Sequence, residues 1–382
     1  MSTPGLTEAV AAALATVLDP EIKKPLPDLG MIKDVALDVG GVPGAVRVEV
    51  WLTVTGCPLR ETITRSVTDA VGRVPGVASV EVVLDVMGEQ QRKELAQHLR
   101  GDRPVRDIPF ASPSSLTRVY AVASGKGGVG KSTVTVNLAA AMAGSGVRVG
   151  VLDADIYGFS VPRMLGATGR PTQVEDMIMP PQAHGVSVIS IAMFTRDNAP
   201  VVWRGPMLHR ALNQFLADVF WGDLDVLLMD LPPGTGDIAI SLAQLVPSSE
   251  IVVVTTPQLA AREVAERAGS IATQTHQDVV GVVENMTAMR MPDGSMLDLF
   301  GSGGGAAVAE GLSRTLGHDV PLLGSIPLDP RLREGSDSGS PLVLSDPDSE
   351  AGKALRSVAE RLAGRPRGLA GRALGLAPAR RP

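Results

Sequence analysis

One nine-residue string constrains this chain more than any other: Gly125-Lys126-Gly127-Gly128-Val129-Gly130-Lys131-Ser132-Thr133. The short apolar run 119–123 precedes it, and a helix-like stretch through Val136, Leu138, Ala139 and Ala140 follows. From Gly125 to Ser132 it satisfies G-x-x-x-x-G-K-[ST], a pattern whose accidental occurrence in a chain of this composition has odds of about one in a hundred. The strand–loop–helix context lowers those odds further. Glycines let a backbone turn its N–H groups inward and approach phosphate oxygens closely. The helix that follows adds the positive end of its dipole. Lys131 is expected at the β- and γ-phosphates, Ser132 at Mg²⁺ and Thr133 near the α-phosphate. Lys126 is a second lysine that the pattern does not require. It either bonds a phosphate of its own site, bonds one across a dimer, or is a solvated loop residue.

The 382 residues suggest two or three domains. Residues 1–88 read as a small α/β unit. Its elements are a helix over 4–19 ended by Asp19-Pro20, strands at 32–38 and 46–54, a helix from Pro58 to about Val74, and a strand at 78–85. Residues 89–117 read as a polar helix followed by a Pro-containing linker. A larger domain spans 118–364, with apolar runs at 119–123, 147–152, 186–192, 225–230, 250–255, 278–283 and 321–326 and a final helix at 350–363. Continuous apolar runs alternating with helices indicate a mostly parallel sheet covered on both faces. Residues 365–382 carry arginines and no acid, and are expected to be a disordered basic tail.

A formal charge of −6 argues against a protein that wraps nucleic acid. No apolar run reaches ~18 residues, so no membrane span is expected. The N-terminus lacks the pattern of a signal peptide. A single cysteine rules out an internal disulfide framework and fits a reducing, cytoplasmic setting.

Asp155 lies just past the strand at 147–152, at the carboxyl edge where ligands sit in such sheets. A carboxylate there orients an attacking water or holds Mg²⁺ through water. Asp153 serves beside it or caps the next turn. Asp230 closes the apolar run Val226-Leu227-Leu228-Met229, the arrangement of a Walker B acid that contacts Mg²⁺. Pro232-Pro233-Gly234 follows as a loop able to change shape. Asn285 carries both a donor and an acceptor, which suits adenine. Pro257 and Gln258, after the strand at 250–255, are expected at the same base pocket.

GKGGVGKST resembles the deviant Walker A loop of the MinD/ParA-type ATPases, in which the early lysine, here Lys126, is the signature residue. Asp153-Ala154-Asp155-Ile156-Tyr157-Gly158, Trp203-Arg204-Gly205-Pro206-Met207, Asp230-Leu231-Pro232-Pro233-Gly234-Thr235-Gly236-Asp237 and Val283-Glu284-Asn285-Met286 narrow the resemblance. Phe300-Gly301-Ser302-Gly303-Gly304-Gly305 and Pro327-Leu328-Asp329-Pro330 extend it. Together these are similar to the Mrp/Nbp35/ApbC group of ATPases, which carry iron–sulfur clusters. Asp19-Pro20-Glu21-Ile22, Asp28-Leu29-Gly30 and Thr55-Gly56-Cys57-Pro58-Leu59 resemble the MIP18-like (DUF59) domain that often precedes that ATPase. The resemblance implies a P-loop NTPase fold of the MinD/ParA type behind a small α/β domain. It also implies ATP and Mg²⁺ as ligands, a homodimer with nucleotide near the interface, and delivery of clusters to recipient apo-proteins or exchange with cluster-assembly proteins. By resemblance Asp155 is the switch-I acid and Asn285 contacts the base.

The chain departs from the group at its cysteines. Cluster-holding members place a C-x-x-C soon after the Asn-Met pair, whereas here Asn285-Met286 is followed by Thr287-Ala288-Met289-Arg290-Met291. A [4Fe–4S] cluster takes four thiolates, and a dimer of this chain supplies two. A cluster would therefore need Cys57 together with His, carboxylate, a small thiol or a partner's cysteines. Cys57 itself is expected at a helix N-terminus, which makes a thiol reactive, or else it is a buried structural residue. The alternative function is a MinD/ParA-like nucleotide switch that positions or regulates partners and carries no cluster.

Overall fold

The computed structural model describes residues 3–53, 59–101, 107–112, 114–155, 158, 160–194, 205–234, 237–258, 261–291 and 293–365. The chain begins with α1 (Thr3–Leu14), β1 (Ile32–Leu37), β2 (Ala45–Leu52), α2 (Arg60–Gly72), β3 (Ser79–Val86) and α3 (Glu89–Arg100). Next come β4 (Arg118–Ala123), α4 (Lys131–Gly144), β5 (Val149–Asp153) and α5 (Val161–Met164). A hairpin of β6 (Thr172–Val174) and β7 (Met177–Met179) precedes β8 (Gln182–Ala183), β9 (Val186–Ser190) and α6 (Gly205–Ala217). The chain continues through β10 (Val226–Asp230), α7 (Asp237–Leu245), β11 (Glu250–Thr255), α8 (Ala261–Thr275) and β12 (Val279–Thr287). After the short pair β13 (Met289–Arg290) and β14 (Met296–Leu297) come α9 (Gly304–Leu316), β15 (Leu322–Pro327), α10 (Pro330–Ser338), α11 (Leu342–Ser345) and α12 (Glu350–Ala363).

Packing divides the chain into two units. In the first, β1 pairs antiparallel with β2, and β2 pairs parallel with β3. Alternation along β2 points Val46, Val48, Val50 and Leu52 into a core shared with Leu6, Val10 and Leu14 of α1 and Ile63, Val67 and Val71 of α2. α1 ends at Leu14 rather than continuing to 19. Thr16 returns its hydroxyl to the Ala13 carbonyl at 2.7 Å. Asp19 accepts from the N–H groups of Glu21 at 2.9 Å and Ile22 at 2.8 Å, the turn chemistry that competes with helix. The Asp19-Pro20-Glu21-Ile22 segment is thus a hydrogen-bonded turn. Two stretches from within the span 118–364 also fall in this unit, 169–180 and 218–222. Val174, Met177 and Met179 of the β6–β7 hairpin are buried in the same core, and Phe220 packs against it. Arg92 of α3 pairs with Glu175 at 3.2 Å. The Ile178 N–H donates to the Asp218 carbonyl at 2.8 Å.

The second unit is built on an eight-stranded sheet in the order β15-β12-β11-β4-β10-β5-β9-β8. All its pairs are parallel except the terminal β8–β9. The apolar runs of the sequence are these strands, shifted by at most a few residues. β5, β9 and β10 are buried at every position, as a sheet covered on both faces requires. Each fully buried Val or Leu stabilises the fold by about 1.5–3 kcal/mol. α12 buries Leu355, Val358 and Leu362, and the Tyr120 hydroxyl of β4 donates to the Leu362 carbonyl at 2.9 Å. β4 lies between β10 and β11. The chain leaves β4 toward β5 on one side and leaves the neighbouring β10 toward β11 on the other, the kind of switch point where such folds bind ligands.

Candidate functional site

The loop after β4 follows from its residues. Gly128 and Gly130 both take φ +78°, a conformation that side chains resist. A Cβ on Gly130 would also lie 2.3 Å from the Asn285 amide nitrogen. Glycine there lets the Asn285 amide donate to the Val129 carbonyl at 2.9 Å, tying the loop to the end of β12. Arg267 donates to the Gly125 carbonyl at 2.9 Å from α8. The Gly234 N–H donates to the Ser124 carbonyl at 3.1 Å, joining the loop to the segment after β10.

Beneath the loop, α4 and β10 bring four polar side chains together. The Asp230 carboxylate is wholly buried, and its Oδ2 accepts from the Lys131 ammonium at 2.7 Å and the Ser132 hydroxyl at 2.6 Å. Its Oδ1 lies 2.7 Å from the Thr135 hydroxyl, one turn further along α4. Asp153 stands beside Asp230 in register on β5. Burial and the neighbouring Asp230 charge push the Asp153 carboxyl up to about 8. It accepts from the Asp155 N–H at 3.2 Å and the Ser190 hydroxyl at 3.1 Å, so it caps the turn after β5. Asp155 is buried, and its Oδ1 accepts from the Gly158 N–H at 2.9 Å.

A cavity of about 620 Å³ opens over this cluster. Gly127, Gly128, Val129, Gly130, Lys131, Ser132, Thr133, Asp155 and Asn285 line it. Asp230 lies behind Ser132 and Lys131, which line the cavity. Gly125 lies at the root of the loop against Val264, and Lys126 donates to Gln258 at the loop's edge. Pro257 is buried against the glycine turn before α9, where a Cβ on Gly304 would meet the Pro257 carbonyl carbon at 2.7 Å. That turn is fixed by Glu284, which accepts from the Gly305 N–H at 2.8 Å and the Ser325 hydroxyl at 3.0 Å. Cys57 lies outside the described residues, as do Tyr157, Trp203 and Arg204.

Sequence reasoning missed the opposite wall of the cavity. Leu332, Arg333 and Ser336 of α10 and Met164 of α5 line it. The signal for α10 was present in Asp329-Pro330. The Asp329 side chain accepts from the Arg331 N–H at 3.0 Å as N-cap, and Pro330 opens the helix. Thr135 was also missed, since nothing in the phosphate-loop pattern specifies it.

Residues 115–363 match the family model described as NUBPL iron-transfer P-loop NTPase, and residues 7–82 match that of an iron-sulfur cluster assembly protein. A Mycobacterium tuberculosis protein named iron-sulfur cluster carrier protein is 65% identical over 376 residues, covering 98% of each chain. A Synechocystis protein of the same name is 42% identical, over 94% of this chain and 97% of the relative. Among solved structures, a nucleotide-binding protein from Archaeoglobus fulgidus in complex with ADP superposes with a TM-score of 0.52 at 33% identity. That match covers 63% of this chain and 95% of the other. Among the described residues, no helix is long and apolar enough to cross a membrane.

Proposed function

The chain belongs to the NUBPL iron-transfer P-loop NTPase family, and we propose that it binds and hydrolyses ATP as a carrier or assembly factor for iron–sulfur clusters, acting as a nucleotide-dependent homodimer. The meeting of Lys131, Ser132 and Asp230 beneath an inward-turned glycine loop carries this reading. The loop N–H groups and the start of α4 suit phosphate oxygens. A buried carboxylate beside a hydroxyl is a hard-oxygen pair of the kind Mg²⁺ prefers, so Ser132 and Asp230 would hold that ion. Bound there, Mg²⁺ supplies neutralisation of the charge on the β- and γ-phosphates.

The remaining roles belong to the chain's own side chains. Lys131 exchanges Asp230 for the β- and γ-phosphates. Asp155, anchored by the Gly158 N–H, orients the attacking water. Lys126 leaves Gln258 for a phosphate oxygen of its own site or of the second copy. Asn285 and Pro257 are assigned to the base side. The ADP held by the archaeal relative supports a nucleotide at this cavity. The cluster is cargo, and the single cysteine of each chain means that Cys57 shares it with ligands other than this protein's thiolates. That low cysteine content also supports a cytoplasmic location.

Anaerobic reconstitution of the purified full chain with iron and sulfide tests the carrier reading. Bound iron with visible absorbance is expected in the wild type and is expected to be lost in Cys57→Ala. Iron binding in neither protein, with ATP hydrolysis intact, would overturn the carrier reading in favour of a nucleotide switch or of an assembly factor that relies on a partner's cysteines.

A further inference from the structure

We infer that Thr135 is a positioning residue that fixes the Asp230 carboxylate for the metal-dependent step; this rests on the proposal that Ser132 and Asp230 hold Mg²⁺. The two oxygens of Asp230 have separate partners. Oδ2 faces the phosphate loop and carries Lys131 and Ser132. Oδ1 is turned away from the loop and lies 2.7 Å from the Thr135 hydroxyl. Thr135 is fully buried in the second turn of α4, so water does not replace that hydroxyl.

The same hydroxyl lies 3.0 Å from the Lys131 carbonyl, four residues earlier, the usual resting place of a helical threonine. It has one proton to give. The Asp230 carboxylate, which pairs with the Lys131 ammonium, is both the nearer and the stronger acceptor. The proton therefore goes to Asp230 Oδ1, and the carboxylate plane is set by a rigid helix. A helical threonine has two χ1 wells, and the well that lets the hydroxyl reach both the Lys131 carbonyl and Asp230 Oδ1 is the one occupied. Ser132 and Thr135 thus act on opposite oxygens of one acid from successive turns of one helix. Ser132 presents Oδ2 to the loop, and Thr135 keeps the carboxylate from rotating about its χ2 when Lys131 departs.

Thr135→Val keeps shape and helix preference and removes only the hydroxyl. Loss of an outer-shell partner of this kind lowers metal affinity by about tenfold to a hundredfold. In the full chain, binding of a fluorescent ADP analogue is measured in EDTA and across a Mg²⁺ titration, together with the Mg²⁺ dependence of ATP hydrolysis. Thr135→Val is expected to bind the analogue in EDTA within about twofold of wild type, and to need about tenfold more Mg²⁺ for half-maximal effect in both assays. Thr135→Ser is expected to restore the wild-type Mg²⁺ dependence. Thr135→Ala provides the same readout if the valine variant does not fold.

An unchanged Mg²⁺ requirement in the hydroxyl-less variants would overturn the inference. So would equal loss of binding with and without Mg²⁺, or failure of serine to rescue. A wild-type protein indifferent to Mg²⁺ would overturn the metal assignment of Ser132 and Asp230, and this inference with it.

Discussion

The two units differ in how their essential residues are laid out along the chain. In the second unit, Gly125 to Thr133 provide the whole phosphate loop as one contiguous run, and Asp155, Asp230 and Asn285 arrive at the ends of apolar strands. In the first unit, the core formed by α1, β2 and α2 is closed by Val174, Met177 and Met179, which lie beyond α3, β4, α4 and β5 in sequence. A site that must present backbone N–H groups needs particular residues at fixed spacing. A core needs apolar volume, and any segment the topology brings near can supply it.

The contrast can be broken most sharply at Lys131. Lys131→Ala removes the ammonium that pairs with Asp230 Oδ2, and phosphate release from ATP is expected to fall by at least about a hundredfold. Hydrolysis at the wild-type rate would remove the site from where the loop puts it. Met179 is the matching probe in the first unit, being 1% exposed. Met179→Ala is expected to cost about 2–5 kcal/mol in urea unfolding, with nucleotide affinity kept within about twofold. A surface-like cost below about 0.5 kcal/mol would show that the hairpin does not complete that core.

A smaller effect sharpens the account of the turn at Asp19. Burial, with the Asp19 charge adding to it and the Thr172 hydroxyl opposing it, raises the Glu21 carboxyl to about 7. The folded chain then holds a proton that the unfolded chain has already released. Stability contributed at this site therefore falls as pH rises from about 4.5 to about 7, by roughly 2–3 kcal/mol, and is level above that range. Glu21→Gln is expected to flatten this slope and to stabilise the protein at pH 8 relative to wild type. A parallel pH profile for the variant would assign the slope elsewhere.

Much of the fold was legible because its strands are continuous apolar runs bounded by turns, as in Val226 to Asp230. The phosphate loop was legible for a different reason, since Gly130 is demanded by its φ and by the Asn285 amide beside it. The β6–β7 hairpin was not legible. Strands of three residues are too short for alternation to register, and Val174 and Met177 take their meaning from a core whose other members lie far away. Thr135 escaped for a related reason. A helical threonine has a local acceptor in the Lys131 carbonyl, and only the fold reveals that Asp230 lies closer. The sequence around Asp153 permits either catalysis or capping, and its bonds to Asp155 and Ser190 are those of a cap.

The central claim is that nucleotide chemistry at the Lys131–Asp230 corner serves the delivery of a cluster. The most direct test loads this chain with iron and sulfide and follows transfer to an apo-ferredoxin, with and without Mg-ATP, in wild type and Lys131→Ala. The account predicts transfer that Mg-ATP accelerates in the wild type and leaves unchanged in the variant. Transfer at one rate in both proteins, whatever the nucleotide, would contradict it.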